Sequence, residues 1–97
     1  MSYEALTATK ALLSDFYHEV DWTNAESNIA LWDIFYKSYG FELSAFEKDI
    51  DILEMHTPRD LAFFVNAHAT GATTKLKSEN SYRWLSEYKK WVSRKCA

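Results

Sequence analysis

Apolar side chains recur every three or four residues over most of the chain, which is the period of an amphipathic α-helix. The pattern predicts one helix from Tyr3 to about Val20 and another from about Asn24 to Tyr39. A further predicted helix, from about Asn80 to Lys95, carries apolar residues near one face and basic residues over the rest. The segment from Pro58 to between Ala69 and Gly71 is apolar nearly all round, which is typical of a buried central helix.

Start and stop signals support these boundaries. Thr23, with Glu26 three residues later, forms a capping box before the second predicted helix. Gly40 stands where a left-handed glycine commonly ends a helix. Thr57 directly before Pro58 combines an N-cap hydroxyl with a proline in the first helical position. The period of apolar residues and the capping signals therefore agree on where the helices begin and end.

The stretch from Phe41 to Asp60 holds six carboxylates among apolar residues, and its centre is compatible with two structures. As a helix it begins at Ser44, and Glu47 completes a second capping box. The buried stripe of that helix consists of Phe46, Ile50 and Leu53. As a hairpin, it pairs two short strands in which apolar residues alternate with polar ones. We favour the helix because its start signal and its apolar stripe agree.

The predicted fold is mainly α, a compact single domain of four to five helices that spans residues 1–97. An α+β fold with a short hairpin at about 41–55 is the alternative. Only two glycines and one proline occur in the chain, which argues against an all-β protein with many tight turns. Four tryptophans, six tyrosines and six phenylalanines supply large rings to fill a small core.

Cysteine content and hydropathy indicate the compartment. The single cysteine, Cys96, cannot form an internal disulfide, which favours a reducing environment. The N-terminal residues lack the apolar segment of a signal peptide, and no run of about 18 apolar residues is long enough to cross a bilayer. We therefore predict a cytoplasmic protein without a membrane-spanning segment.

Charge is divided unevenly along the chain, although the net charge is only −3. Residues 1–60 hold 12 acidic and 4 basic side chains, whereas residues 61–97 hold 2 acidic and 7 basic ones. Such an asymmetry influences which partners a protein meets and how fast it meets them.

The residue combinations that usually carry catalysis or bind metals are missing from the sequence. The three histidines lie in different segments, and one cysteine cannot build a thiolate metal site. The run from Asp49 to Asp51 resembles the start of a calcium loop, but Glu54 stands where that loop requires glycine. The two glycines are too far apart for a phosphate-binding loop. We predict no catalytic, cofactor-binding or metal-binding residues, and hence a protein that is not an enzyme.

The first candidate surface is acidic. Carboxylates that repeat at helical spacing on a rigid face can imitate the charge of a nucleic-acid backbone and occupy a groove lined by Lys and Arg. A face that only keeps the protein soluble is the more common outcome of such a pattern. The predicted partner-binding residues are Glu42, Glu47, Asp49, Asp51 and Glu54, together with Asp15 and Glu19 from the first helix, and Glu26 and Asp33 extend the same surface.

The alternative surface lies on the last predicted helix. Its basic residues are Arg83, Lys89, Lys90 and Arg94, with Lys95 at the end, and Trp84 and Trp91 stand among them. Cations mixed with aromatic rings can contact phosphates and stack on bases. A core helix with a solvated basic face has the same pattern, and so does a basic face that pairs internally with the acidic half.

In overall build the chain resembles the small phage-encoded inhibitors of bacterial defence, such as anti-CRISPR proteins. The shared features are short length, a single domain, scarce cysteine, absent catalytic motifs and an acidic surface. The resemblance implies a viral, non-catalytic inhibitor that binds a larger nucleic-acid-handling protein or complex and acts as a DNA mimic. Toxin-immunity proteins have the same build. An immunity protein, or a small nucleic-acid-binding regulator that uses the basic helix, is therefore the alternative prediction.

Overall fold

Five helices form the ordered framework of the described residues in this computed structural model, which describes residues 6–16, 22, 24–40, 42–70, 72 and 74–96. The helices are α1 (Thr7–Phe16), α2 (Ala25–Tyr39), α3 (Leu43–Leu53), α4 (Pro58–His68) and α5 (Ser78–Cys96). The prediction of a mainly α fold is confirmed. The hairpin alternative is wrong, because residues 43–53 form one continuous helix.

The helix ends agree with the predicted signals in two places. Gly40 ends α2 in the left-handed conformation, with φ of 66°, and its N–H donates to the carbonyl of Tyr36 at 3.4 Å. At the start of α4, the Thr57 hydroxyl accepts a hydrogen bond from the N–H of Asp60 at 3.2 Å, and Pro58 is the first helical residue. Both predictions of capping residues are confirmed.

Two predicted caps are replaced by neighbouring residues. Asn24 caps α2, because its side-chain oxygen accepts from the N–H of Ser27 at 3.1 Å; Thr23 lies outside the described residues. Helix α3 begins at Leu43, so the prediction of Ser44 as its N-cap is wrong. The carbonyl of Glu42 accepts a hydrogen bond from the N–H of Ala45 at 3.0 Å. Ser44 therefore lies inside the first turn, where it cannot be the N-cap.

Replacing Thr57 with alanine is expected to lower the free energy of unfolding by about 1 kcal/mol. The substitution removes the hydroxyl that accepts from Asp60, and it leaves one N–H of the first turn without that partner. Urea unfolding monitored by circular dichroism measures the change. Thr57→Ser, which keeps the hydroxyl, is the control and should retain most of the stability. Equal stability of the alanine variant and the wild type would contradict this role.

The core is organised around α5, which packs against α2, α3 and α4. Its buried face presents Trp84, Leu85, Tyr88, Trp91 and Val92. Helix α4 buries Leu61, Ala62, Phe64 and Val65, but Phe63 on the same helix is 76% exposed. The prediction of α4 as the central buried helix is therefore wrong, because its apolar residues are split between the core and the surface.

Helix α3 has the amphipathic character that the sequence predicts. Phe46, Ile50 and Leu53 are buried along one stripe, which confirms the predicted core face. The Phe46 ring contacts two other helices, since its centroid lies 6.1 Å from that of Phe35 in α2 and 5.4 Å from that of Trp91 in α5. Packing of these buried side chains fixes the orientation of α3, and therefore also the direction in which its outward face points. No helix among the described residues has the length and apolar character needed to cross a membrane.

Candidate partner-binding surface

Three of the predicted acidic residues lie together on the outward face of α3. Glu47, Asp51 and Glu54 are four and three residues apart, which places them on the same side of a helix, and all three are exposed. Glu42 is exposed just before the first turn of α3. Glu42, Glu47 and Asp51 form no ion pair with a residue that the structure describes, whereas Glu54 does. We call these three carboxylates the acidic strip.

Asp49 does not belong to this surface, so its assignment to the exposed acidic face is wrong. Its side chain is 1% exposed, and it follows the same stripe as Phe46 and Leu53. Position 49 lies three residues after Phe46 and four before Leu53, which is the spacing of a core position. The carboxylate is consequently inside the protein, between α1, α3 and α5.

The buried carboxylate of Asp49 binds the first turn of α1. Its Oδ2 accepts from the N–H of Thr9 at 2.8 Å and from the Thr9 hydroxyl at 2.7 Å. The Thr9 hydroxyl also lies 2.9 Å from the hydroxyl of Tyr88 in α5. First-turn N–H groups have no acceptor within their own helix, and a negative charge there is favoured by the helix dipole. Asp49 therefore caps α1 from a different helix and links three helices.

Burial raises the pKa of the Asp49 carboxyl above its ordinary value, because desolvation disfavours the charged form. The two hydrogen bonds from Thr9 and the positive charge of Lys10 act in the opposite direction and hold the pKa lower than burial alone would. The net direction is upward, which identifies desolvation as the dominant influence.

Of the remaining predicted acids, the structure describes the side chains of Asp33 and Glu26, both in α2. Asp15 belongs to α1, but its side chain lies outside the described part of the structure, as does the whole of Glu19. Asp33 joins α2 to α5: its Oδ1 accepts from Trp91 Nε1 at 2.8 Å and from Lys95 Nζ at 2.9 Å. The hydrogen bond from Trp91, followed by the one from Lys95, lowers the pKa of Asp33. Glu26 is exposed in the first turn of α2.

The basic face of α5 is present, but its tryptophans are not available on it. Arg83, Lys89, Lys90 and Arg94 are all exposed, as predicted. Trp84 is fully buried and Trp91 is 2% exposed, so the prediction of a mixed basic and aromatic surface is wrong. Stacking of bases requires an accessible ring face, and neither indole offers one here.

The acidic strip and the basic face of α5 lie side by side. Lys89 Nζ is 2.9 Å from Glu54 Oε2, and Glu54 together with the charge of Asp51 raises the pKa of Lys89. A groove between α3 and α5 is lined by Glu47, Ile50, Asp51, Lys89, Val92 and Ser93. The pair between Glu54 and Lys89 is solvent-exposed, so it contributes little to stability. It does mark the boundary between the two charged surfaces.

Two apolar side chains next to this boundary are exposed. Met55, which follows Glu54 at the end of α3, is 80% exposed. Tyr82 is 50% exposed, and its hydroxyl donates to the carbonyl of His56 at 2.9 Å, which holds the ring against the turn that carries Met55. The sequence patterns assigned neither side chain to a candidate surface. Met55 lies beyond the last residue of α3, so the helical period no longer applied to it.

Among the residues that the structure describes, no group of three or more His, Cys, Asp or Glu side chains is placed to hold a metal ion. Comparison with protein families, curated proteins and solved structures finds no match to this chain. The charge and exposure of these surfaces are therefore the features that bear on function.

Proposed function

We propose that the protein is a non-catalytic inhibitor that binds a nucleic-acid-handling protein or complex through the acidic strip. The observation that carries the proposal is the arrangement of Glu42, Glu47 and Asp51, which are exposed and without an ion pair to any described residue. Glu47 and Asp51 stand on α3, whose opposite face is fixed in the core by Phe46 and Asp49, and Glu42 directly precedes its first turn. A rigid helix presents these side chains without the entropy cost of ordering the backbone on binding.

The spacing of the strip limits what it can imitate. Glu47 and Asp51 are about 6 Å apart along the helix axis, given a rise of about 1.5 Å per residue. One strand of DNA carries a phosphate about every 3.4 Å. The strip therefore supplies roughly half the charge of one strand per unit length, which suits a site that contacts a few phosphates better than one that encloses a long duplex.

The exposed apolar residues beside the strip favour a protein as the partner. Protein interfaces combine a few large apolar anchors with a polar rim. Met55 and Tyr82 supply such anchors next to Glu54. A basic groove bordered by an apolar patch would match both parts of this surface, whereas free nucleic acid would be repelled by the acidic strip.

The basic face of α5 supports the alternative regulator less well. Its indole rings are buried, and Lys89 is already paired with Glu54. The acidic strip next to it would also repel a phosphate backbone. A toxin-immunity protein would use the same acidic strip, with a single toxin in place of a larger complex as its partner.

Neutralising the acidic strip tests the proposal. The variant E42Q/E47Q/D51N removes three charges and leaves the pair between Glu54 and Lys89 intact. We expect this variant to lose at least about tenfold in affinity for the partner captured from a bacterial lysate, since electrostatic complementarity across the interface would be removed. Affinity is measured by surface plasmon resonance against the purified partner.

The matched control changes net charge equally at other places. E26Q/D60N/E79Q neutralises the exposed first-turn acids of α2, α4 and α5. It should bind like the wild type, and circular dichroism should show both triple variants folded. Equal loss of affinity in both variants would show that net charge, rather than the acidic strip, governs binding.

A further inference from the structure

A second open groove, separate from the acidic strip, lies between α4 and the segment that leads into α5. Its volume is about 950 Å³, and its lining includes Arg59, Phe63, Asn66, Lys75 and Lys77. Phe63 is 76% exposed within it. An exposed ring of this size has apolar surface that a partner could bury. Large exposed apolar residues with charged neighbours are common in interfaces.

One wall of the groove is held in place by partly buried hydrogen bonds. The Asn66 side chain accepts from the N–H of Leu76 at 2.8 Å and donates to the carbonyl of Leu76 at 2.9 Å. Trp22 Nε1 donates to the carbonyl of Thr74 at 2.9 Å. Leu76 is 2% exposed, whereas its neighbours Lys75 and Lys77 are both exposed. The buried leucine therefore fixes the segment with its two lysines at the groove.

The opposite wall is a single face of α4. Arg59 and Phe63 are four residues apart, so they are neighbours on the helix surface, and both line the groove. Arg59, Lys75 and Lys77 form no ion pair with any described residue. The groove thus has cations on both walls, an aromatic ring between them and a rim that is already ordered.

We propose that this groove binds an acidic peptide segment of a protein partner, which places an apolar side chain against Phe63 and carboxylates against Arg59, Lys75 and Lys77. The charge of the three cations is complementary to carboxylates. Asp60 and Glu79 also line the groove, so a continuous phosphate backbone would meet repulsion along its path. A peptide, in contrast, can place carboxylates opposite the cations and uncharged residues opposite Asp60 and Glu79. A groove with one exposed ring also lacks the series of aromatic platforms on which successive bases stack. This site is independent of the acidic strip.

Selection from a phage-displayed library of random peptides tests the inference. The library is selected on the wild type after depletion on the variant F63S/K75E/K77E. We expect the surviving peptides to contain Asp or Glu next to a large apolar residue. Because all three substituted side chains are exposed, the variant should fold like the wild type, which circular dichroism verifies.

Titration of the enriched peptide into ¹⁵N-labelled protein then locates the site. We expect chemical-shift changes confined to residues 59–66 and 74–79, and an increase in Kd of at least about tenfold for Phe63→Ser alone, as for an interface anchor. The controls are Met55→Ser, which removes another exposed apolar side chain, and K90E/R94E, which reverses two charges on a different face. Both controls should bind the peptide like the wild type.

Four results would overturn the inference. They are enrichment of basic or uncharged peptides, enrichment that F63S/K75E/K77E does not abolish, binding of a ten-nucleotide thymidine strand at these residues, and self-association that Phe63→Ser removes. The third result would identify a single-stranded nucleic acid as the ligand, and the fourth a second copy of this chain.

Discussion

Replacing Phe46 with alanine is expected to lower the free energy of unfolding by about 3–5 kcal/mol, the cost typical of truncating a fully buried phenylalanine. Its ring packs edge-on against Phe35, Tyr36, Tyr88 and Trp91, which belong to α2 and α5. The substitution would remove these contacts and leave a cavity where three helices meet. A small domain has only about 5–15 kcal/mol of stability in total, so the variant should be unfolded in a large part of its population at moderate urea concentrations.

Urea unfolding of Phe46→Ala, followed by circular dichroism and tryptophan fluorescence, measures this loss. Phe46→Leu should lose less, about 1–2 kcal/mol, because it retains most of the volume but not the ring contacts. Phe63→Ala is the control for an exposed ring and should change stability by less than about 0.5 kcal/mol. A loss at Phe46 no larger than the loss at Phe63 would show that the core is not organised as described.

The second large effect is expected at Asp49. Asp49→Ala should lower the free energy of unfolding by about 1–3 kcal/mol, because the buried N–H of Thr9 loses its acceptor. Asp49→Asn keeps an oxygen that can accept from Thr9 and removes the charge. Since burial raises the pKa of Asp49, the surroundings disfavour the charged form at neutral pH. The asparagine variant should therefore be at least as stable as the wild type at pH 7.

Protonation of the Asp49 carboxyl also makes the free energy of unfolding depend on pH. The folded protein keeps a proton on Asp49 at pH values where the unfolded chain, with an ordinary pKa of 3.8, has already lost it. Its contribution to the free energy of unfolding is largest below pH 3.8, and it falls as the pH rises through the raised pKa of the folded state. Lys10 from α1 and the Tyr88 hydroxyl, through Thr9, are the groups that act on this carboxyl.

Urea unfolding at several pH values, for the wild type and Asp49→Asn, isolates this contribution. The difference in stability, wild type minus variant, should decrease with rising pH across the window above 3.8 and then level off. A difference that increases with pH would mean that the pKa of Asp49 is lowered by folding, and that its charge stabilises the native state.

Local patterns in the sequence predicted the parts of the fold that depend on local interactions. The period of Phe46, Ile50 and Leu53 identified the buried face of α3, and Thr57 and Gly40 marked helix ends correctly. Asp49 shows where the reasoning failed, since its position fits the buried stripe and only its charge suggested the surface. The period alone would have placed it inside, but its partner Thr9 is 40 residues away in the chain.

The candidate surfaces were harder to predict, because they depend on contacts between distant helices. The sequence shows Trp84 and Trp91 among basic residues, yet α5 packs against three helices and therefore buries a wider face than an amphipathic pattern suggests. The pairing of Lys89 with Glu54, across 35 residues, depends on how α3 and α5 pack. Neither the burial of these tryptophans nor this ion pair can be predicted from the spacing of residues within one helix. The exposure of Phe63 was hidden in the same way by its apolar neighbours in α4.

The central claim is that the acidic strip occupies a site that normally holds nucleic acid. The most direct test is capture of the partner from a bacterial lysate on immobilised protein, with and without nuclease, followed by elution with DNA or RNA. We expect a protein complex that nuclease treatment does not remove, that added nucleic acid displaces, and that E42Q/E47Q/D51N fails to retain. Direct recovery of nucleic acid that is lost on nuclease treatment, and retained by E42Q/E47Q/D51N, would contradict the claim and move the site to the basic face of α5.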